Sequence, residues 1–347
     1  MDVRNKLSAL KARKFGDDLN EGEIIKNFSG SVSDDLLYIS EAMAEVNREY
    51  TKNTYLQCDR VQQQLKNNIS DQHSGIVFEY QGSVPLNTHT RRHSDVDILI
   101  ATGRYHWVTP PLPVVNPYLG DEKNDLIELR NDVVATIRST FPAVLIDNTG
   151  GKAVAISGGS LTRKMDLVPV SWVHNINSSG KTDLTHRGIR LYDNKKKEYV
   201  ENYPFLHIDL CNTKDSIVNG RFKKLVRYIK NVRKDSDQRI DISSYDATAL
   251  MYLQSNSELA QTLNNPASLS RLAETHLARV IGDTSLRQTA MVPNGTRLLF
   301  GDDGLKLSEV IKLYQDIAEI NRNLTQSYRN IDPYRIRVFE DYFQKAI

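Results

Sequence analysis

Gln81-Gly82-Ser83, and beyond it Ser94-Asp95-Val96-Asp97 running into Ile98-Leu99-Ile100, is the stretch that decides how this chain folds. Successive side chains of a β-strand alternate faces, so Asp95 and Asp97 point one way while Val96 and Ile98 point the other. Two carboxylates held side by side repel each other unless a cation lies between them, and hard oxygen ligands of this kind suit Mg²⁺. The Gly-Ser turn supplies flexible backbone, free N–H groups and a hydroxyl, which suit a phosphate. Together the two pieces read as a metal-dependent nucleotide site. An Asp-x-Asp pair alone is common and is usually a surface turn ahead of a strand. The Gly-Ser turn upstream is what gives this one weight.

Working outward, residues 76–80 read as the strand that delivers the turn, and residues 95–100 as the strand that carries the carboxylates. Upstream, residues 33–68 have helical spacing behind Ser33 as N-cap, in one long or broken amphipathic helix. Downstream, 109–117 holds four prolines and is excluded from helix interiors and central strands. Residues 125–140 return to helical spacing, and short apolar runs at 143–146, 153–156 and 161–170 read as strands. The last two are joined across Ser157-Gly-Gly-Ser160 as a hairpin. A two-metal site needs a further carboxylate. Asp166, in Arg163-Lys-Met-Asp-Leu-Val, has a strand setting and faces opposite to its neighbours; alone it would be a solvated strand residue, but beside the other pieces it completes a triad.

Helical patterns dominate beyond about residue 215. The chain therefore divides into a leader (1–32, partly ordered), a mixed core with a long N-terminal helix (33–215) and a helical C-terminal lobe (216–347), with a cleft expected between the lobes. Residues 221–234 contain seven basic side chains and no acidic one. Phe222, Leu225, Val226, Ile229 and Val232 form an apolar stripe, and the lysines fall largely off it, as a basic face. A charge run of this kind is ordinarily a solvated surface; following a carboxylate triad, it suits a triphosphate. Tyr245 fits either base stacking or the core. His89 and His93 lack a zinc pattern and read as solvated loop residues, His207 as packed, and Gly301-Asp-Asp-Gly304 as a turn.

Bulk properties narrow the class. The 347 residues carry a formal net charge of +2, so no global field demands nucleic acid or membrane. Cys58 and Cys211 form no disulfide framework or metal spacing, as in a reducing cytosol. The polar first residues and the lack of a long apolar run lead to the expectation of a soluble cytoplasmic protein without membrane contact. From Asp246 onward acidic and basic residues are nearly balanced, which does not supply the surface a long RNA acceptor favours. No stable nucleic-acid partner is expected.

Gly82-Ser83, Ser94-Asp95-Val-Asp97 and Asp166 resemble the signature of the DNA polymerase β-like nucleotidyltransferases. With Thr88, Pro204-Phe-Leu-His-Ile208, Gly220-Arg-Phe-Lys-Lys-Leu-Val-Arg-Tyr-Ile-Lys230 and Ser243-Ser-Tyr245, residues 35–330 resemble more narrowly the bacterial relatives of cyclic GMP–AMP synthase. These are the DncV-like CD-NTases, which make cyclic oligonucleotide signals in anti-phage defence. Asn87 stands where glycine is usual, and Gly188-Ile-Arg-Leu191 fits the edge of a nucleotide lid. The resemblance implies an α+β nucleotidyltransferase core, a helical C-terminal lobe and an active site in the cleft. It also implies template-independent joining of NTPs into a cyclic di- or trinucleotide, with release of pyrophosphate. Asp95, Asp97 and Asp166 would bind two Mg²⁺ (or Mn²⁺), Asp166 also activating the attacking hydroxyl. Gly82 and Ser83 would hold the β- and γ-phosphates, Lys224 (or Lys223) and Ser244 the triphosphate, and Tyr245 a base. Substrates would be ATP or GTP, with pyrimidine NTPs as alternatives; a regulatory protein is an allowed partner, and a separate effector would read the product. Two other functions fit the residues: a tailing transferase acting on RNA or protein, and a silent nucleotide sensor. The latter has no reason to keep three mutually repelling charges.

Overall fold

The computed structural model describes residues 3–15, 23–90, 95–109, 118–176, 182–329 and 331–346; His93, Ser94 and the prolines of 110–117 lie outside them. In chain order come α1 (Val3–Phe15), α2 (Glu23–Phe28), α3 (Asp34–Met43), α4 (Arg48–Ile69), β1 (Ile76–Gln81), β2 (Val96–Thr109), α5 (Glu122–Thr140), β3 (Leu145–Asp147), β4 (Val154–Ser157), β5 (Met165–Ile176), β6 (Thr182–Asp193) and β7 (Glu198–Asn202). Helices follow: α6 (Pro204–Ile217), α7 (Arg221–Asp235), α8 (Ser244–Tyr252), α9 (Asn256–Gln261), α10 (Pro266–Gly282), α11 (Thr284–Thr289), α12 (Leu307–Tyr328) and α13 (Pro333–Ala346). Among the described residues no helix is long and apolar enough to cross a membrane.

The chain forms two compact units, and neither is a continuous segment. A sheet unit comprises Asn47–Leu86 and Ser94–Asp209; a helical unit comprises Met1–Val46, Asn87–His93 and Leu210–Ile347. The units divide after Asp209, a few residues ahead of the boundary expected near 215, and residues 33–46 group with the helices.

In the sheet unit the strands run β1-β2-β5-β4-β3, with β6 bridging β5 and β7. β2 and β5 are parallel and central; β1 is antiparallel to β2, and β4 to β5, as the hairpin reading expected. Strict alternation assigns the faces. Val96, Ile98, Ile100, Met165 and Leu167 pack under Cys58, Val61, Leu65 and Ile69 of α4 and Leu129, Val133 and Ile137 of α5. Leu99, Ala101, Val168 and Val170 lie on the opposite face with Trp172, Ile189 and Leu191. Each such side chain contributes about 1.5–3 kcal/mol by burial, so the register is firmly held. Asp97 and Asp166 share the parity of the second set, at its head.

The helix expected over 33–68 is broken. Ser33 caps α3 as expected, its hydroxyl accepting from Leu36 N–H at 3.3 Å. Ala44 then goes extended, and Asn47 starts α4 by accepting from Glu49 N–H at 2.7 Å.

In the helical unit α1, which lies in the expected leader, packs into the core. Val3, Leu7 and Leu10 of α1 are buried, one helical face. Its charges are matched: Lys6, 1% exposed, pairs with Asp316 at 3.4 Å, and Arg13 reaches Asn231 at 2.8 Å and Asp235. α6 and α7 are separate helices. Asn219 (φ 51°) and Gly220 (φ 78°) adopt the left-handed conformation that ends α6 before α7 begins.

Candidate active site

β1 ends at Gln81, which pairs with Asp97, and the turn begins at Gly82. Gly82 has φ +80°, and a Cβ there would lie 2.5 Å from Asp97 Oδ2. Glycine is needed twice over, for the backbone turn and for room beside the carboxylate. On the far side of β2, Asp97 is the register partner of Asp166. Parallel pairing thus brings together two carboxylates 69 positions apart in the chain; Asp95, just ahead of β2, completes the set on the same side.

Lys164, which sequence reasoning passed over, is the cation among them. Its ammonium donates to Asp95 Oδ2 at 2.8 Å and lies 3.2 Å from Asp166 Oδ1. The signal was available: in extended chain Lys164 shares a face with Asp166, two residues on. Its neighbour Arg163 points the other way, buried, with Thr54 Oγ1 at 3.3 Å and the Tyr50 ring at 4.8 Å. Gln57 and Thr162 add two reciprocal 2.8 Å hydrogen bonds, so the segment is pinned to α4.

The electrostatics follow from this packing. Burial pushes the Asp166 carboxyl above the usual carboxylate range and outweighs the pull of Lys164; the charges of Asp95 and Asp147 act in the same direction as burial. Burial works against the Lys164 ammonium, yet its hydrogen bond to Asp95 and the Asp166 charge leave it raised. Among the described residues no three His, Cys, Asp or Glu side chains stand gathered as a ready metal cluster. The donor set nevertheless fits a hard divalent cation. A cation already spans two of its carboxylates, and Asp166 Oδ1 is buried without a hydrogen bond of good geometry.

The other expected site residues belong to the helical unit. Lys224 is 3% exposed, donates to Asn264 Oδ1 at 3.1 Å and faces the Phe343 ring at 4.9 Å. Burial, with Arg227 and Arg221 nearby, pushes its ammonium down to about 8. Lys223, more exposed, lies 3.8 Å from Asp215. Ser244 is exposed at the start of α8, behind the cap formed by Ser243, whose hydroxyl accepts from Asp246 N–H at 3.0 Å. Tyr245 is half-buried, donating to Asn294 Oδ1 at 2.8 Å with Arg297 over its ring at 5.5 Å.

The open basic face expected on α7 is not what forms. Lys224, Arg227 and Lys230 are all buried. Arg227 donates to Met43 O at 2.6 Å and Asn87 O at 2.9 Å, and Lys230 to Thr88 O at 2.6 Å. These cations hold the strap 87–90, which leads out of the Gly-Ser turn. Held in this strap, His89 is 2% exposed and not the solvated loop residue expected. Asn87, the departure from glycine, has φ 56°, a left-handed position that Asn tolerates better than most residues. His207 is packed as expected, its imidazole pushed down to about 4 by burial, and Gly301–Gly304 forms a turn closed by a 2.8 Å hydrogen bond.

The cGAS/DncV-like nucleotidyltransferase C-terminal helical domain matches residues 209–320. Cyclic dinucleotide synthase CdnE of Yersinia aleksiciae is 32% identical over 310 residues, covering 84% of this chain and 79% of the relative. The chain belongs to the CD-NTase family. A c-di-GMP synthase of a Lachnospiraceae bacterium is 30% identical over 283 residues, 72% of this chain and 79% of that protein. The solved STING-associated CdnE c-di-GMP synthase of Capnocytophaga granulosa has 26% identity and a TM-score of 0.76, covering 94% of this chain and all of that one. The mixed sheet followed by a helical domain is thus the CD-NTase fold, and the protein is a nucleotidyltransferase of the group that includes cyclic dinucleotide synthases.

Proposed function

We propose that this CD-NTase joins two GTP molecules into cyclic di-GMP with release of two pyrophosphates, as a signal read by a separate effector. The observation that carries the chemistry is the register of Asp97 against Asp166, with Gly82 clearing space beside Asp97. The choice of GTP is supported by c-di-GMP synthases among the similar proteins, and an effector by the STING association of one solved relative.

Asp95, Asp97 and Asp166 would hold Mg²⁺, which when bound offsets charge on the phosphates. The chain's own groups do the rest. Gly82 N–H and the Ser83 hydroxyl hold the β- and γ-phosphates of one nucleotide, fixing its α-phosphorus for in-line attack. A ribose hydroxyl of the second nucleotide forms the new P–O bond as the bond to pyrophosphate breaks. Its proton passes to Asp166, whose carboxyl is raised by burial and is the better base for it. The linear product turns, and the same step closes the ring. Lys223, Lys224 and Ser244 are the proposed phosphate contacts of the helical unit, and Tyr245 the proposed base contact.

The test is chromatography of phosphatase-treated products from radiolabelled ATP, GTP, CTP and UTP, with Asp95→Ala/Asp97→Ala as control. A protected product formed from GTP alone and lost in the control is expected. Label passed instead to an RNA or protein acceptor would make the enzyme a tailing transferase; calorimetric binding without turnover would make it a sensor.

A further inference from the structure

The carboxylates of the site are already occupied by a charge, and it is the protein's own. Lys164 Nζ lies 2.8 Å from Asp95 Oδ2 and 3.2 Å from Asp166 Oδ1, bridging a group just ahead of β2 to one in β5. A cation held jointly by those oxygens competes with the ammonium for the same lone pairs. Resting on the metal role proposed above, we infer that Lys164 is an internal counter-ion that any incoming divalent cation must displace from Asp95 and Asp166.

The physical case has three parts. Without a countercharge, two carboxylates facing each other across β2 and β5 destabilise the fold that aligns them; the ammonium removes that repulsion while the site is empty. The anchor is firm below the ammonium but not at it. Arg163 and Thr162 are tied to α4, whereas the Lys164 side chain is 43% exposed and free to swing on its four-carbon stem. Finally, the ammonium stands between Asp95 and Asp166, so the space that a shared cation would take is filled. Free metal then binds weakly. A nucleoside triphosphate, whose charge draws the ammonium away, opens the carboxylates to the cation it brings with it. Lys164 is in this sense a positioning residue that couples metal uptake to nucleotide.

The experiment is Mn²⁺ binding by electron paramagnetic resonance to the wild-type protein, Lys164→Met and Lys164→Arg, each without nucleotide and with a non-hydrolysable GTP analogue. In the absence of nucleotide, Lys164→Met is expected to bind Mn²⁺ about three- to tenfold more tightly, on the scale of two partly exposed ion pairs. Lys164→Arg is expected to stay close to wild type. The analogue should strengthen Mn²⁺ binding less in Lys164→Met than in wild type. Unchanged or weaker binding in Lys164→Met, or equal strengthening by the analogue, overturns the proposal. Melting in EDTA keeps this separate from the metal reading. Loss of the countercharge should lower the melting temperature of Lys164→Met by a few degrees, and an equal or higher value overturns the counter-ion role. Mn²⁺ binding that is identical in wild type and Asp95→Asn/Asp97→Asn would overturn the metal reading itself, with the EDTA comparison still deciding Lys164.

Discussion

Two clusters of like charge, the carboxylates of β2 and β5 and the cations of α7, were both visible in the sequence, and folding treats them oppositely. The carboxylates are left partly exposed: Asp95 is 42% and Asp166 23% accessible at the side chain, with one of the pair's oxygens short of a hydrogen bond. Lys224, Arg227 and Lys230 are buried to 3% or less and their donors are taken by a side-chain amide and backbone carbonyls. A charge cluster thus becomes chemistry where its polar capacity is left unfilled, and architecture where the chain itself fills it.

The sharpest way to break this contrast is at Asp166. Asp166→Asn should lower turnover by about 10²–10⁴-fold, the scale of a lost general base. Its stability should move the other way. A carboxyl raised in the fold favours the protonated state, so its contribution is fully present below the ordinary carboxylate pKa and is lost as pH rises through the folded value. At neutral pH in EDTA the asparagine variant should therefore melt no lower than wild type. Next in size is Arg227→Met, which leaves Met43 O and Asn87 O without their donor and should cost about 2–4 kcal/mol in urea unfolding. An arginine free to serve a ligand would show a smaller loss. Gly82→Ala tests the turn: left-handed strain of about 1–2 kcal/mol, with a shift of Asp97 that should cost up to about a hundredfold in rate.

The smallest effect reads the buried lysine by pH. Lys224 titrates near 8 in the fold and near 10.5 when unfolded. Between those values the unfolded chain holds more protons, so stability should rise with pH, on the order of 1 kcal/mol or more from this group. Lys224→Met should flatten that slope in urea titrations at pH 7, 8.5 and 10; an unchanged slope would mean the ammonium is not held in a dry site.

Where pattern is local, the sequence was enough. Alternation at 95–100 and 165–170 marks the central strands, the serine ahead of Asp34 marks a cap, and Gly82 beside an Asp-x-Asp pair marks the candidate site. What stayed hidden depends on partners far along the chain. Nothing near α1 reveals that Lys6 will meet Asp316, or that Val3, Leu7 and Leu10 will be covered. Burial of the α7 cations could not be read either, because the strap carbonyls that receive Arg227 and Lys230 lie 140 and 142 residues upstream.

The α1 docking has a consequence for how the protein is made. α1 pairs with Asp316 and with Asp235, so it leaves the ribosome long before these two partners exist. At about 5–20 residues per second, roughly a quarter of a minute to a minute separates the two ends of the Lys6–Asp316 contact. Through that interval Lys6 waits without its carboxylate while the sheet unit, all of it translated before Asp316, can already close. A nascent chain stalled ahead of α12 should therefore hold α1 against α3 with the Lys6 ammonium still unmatched, and the synthesis of α12 is what completes the docking.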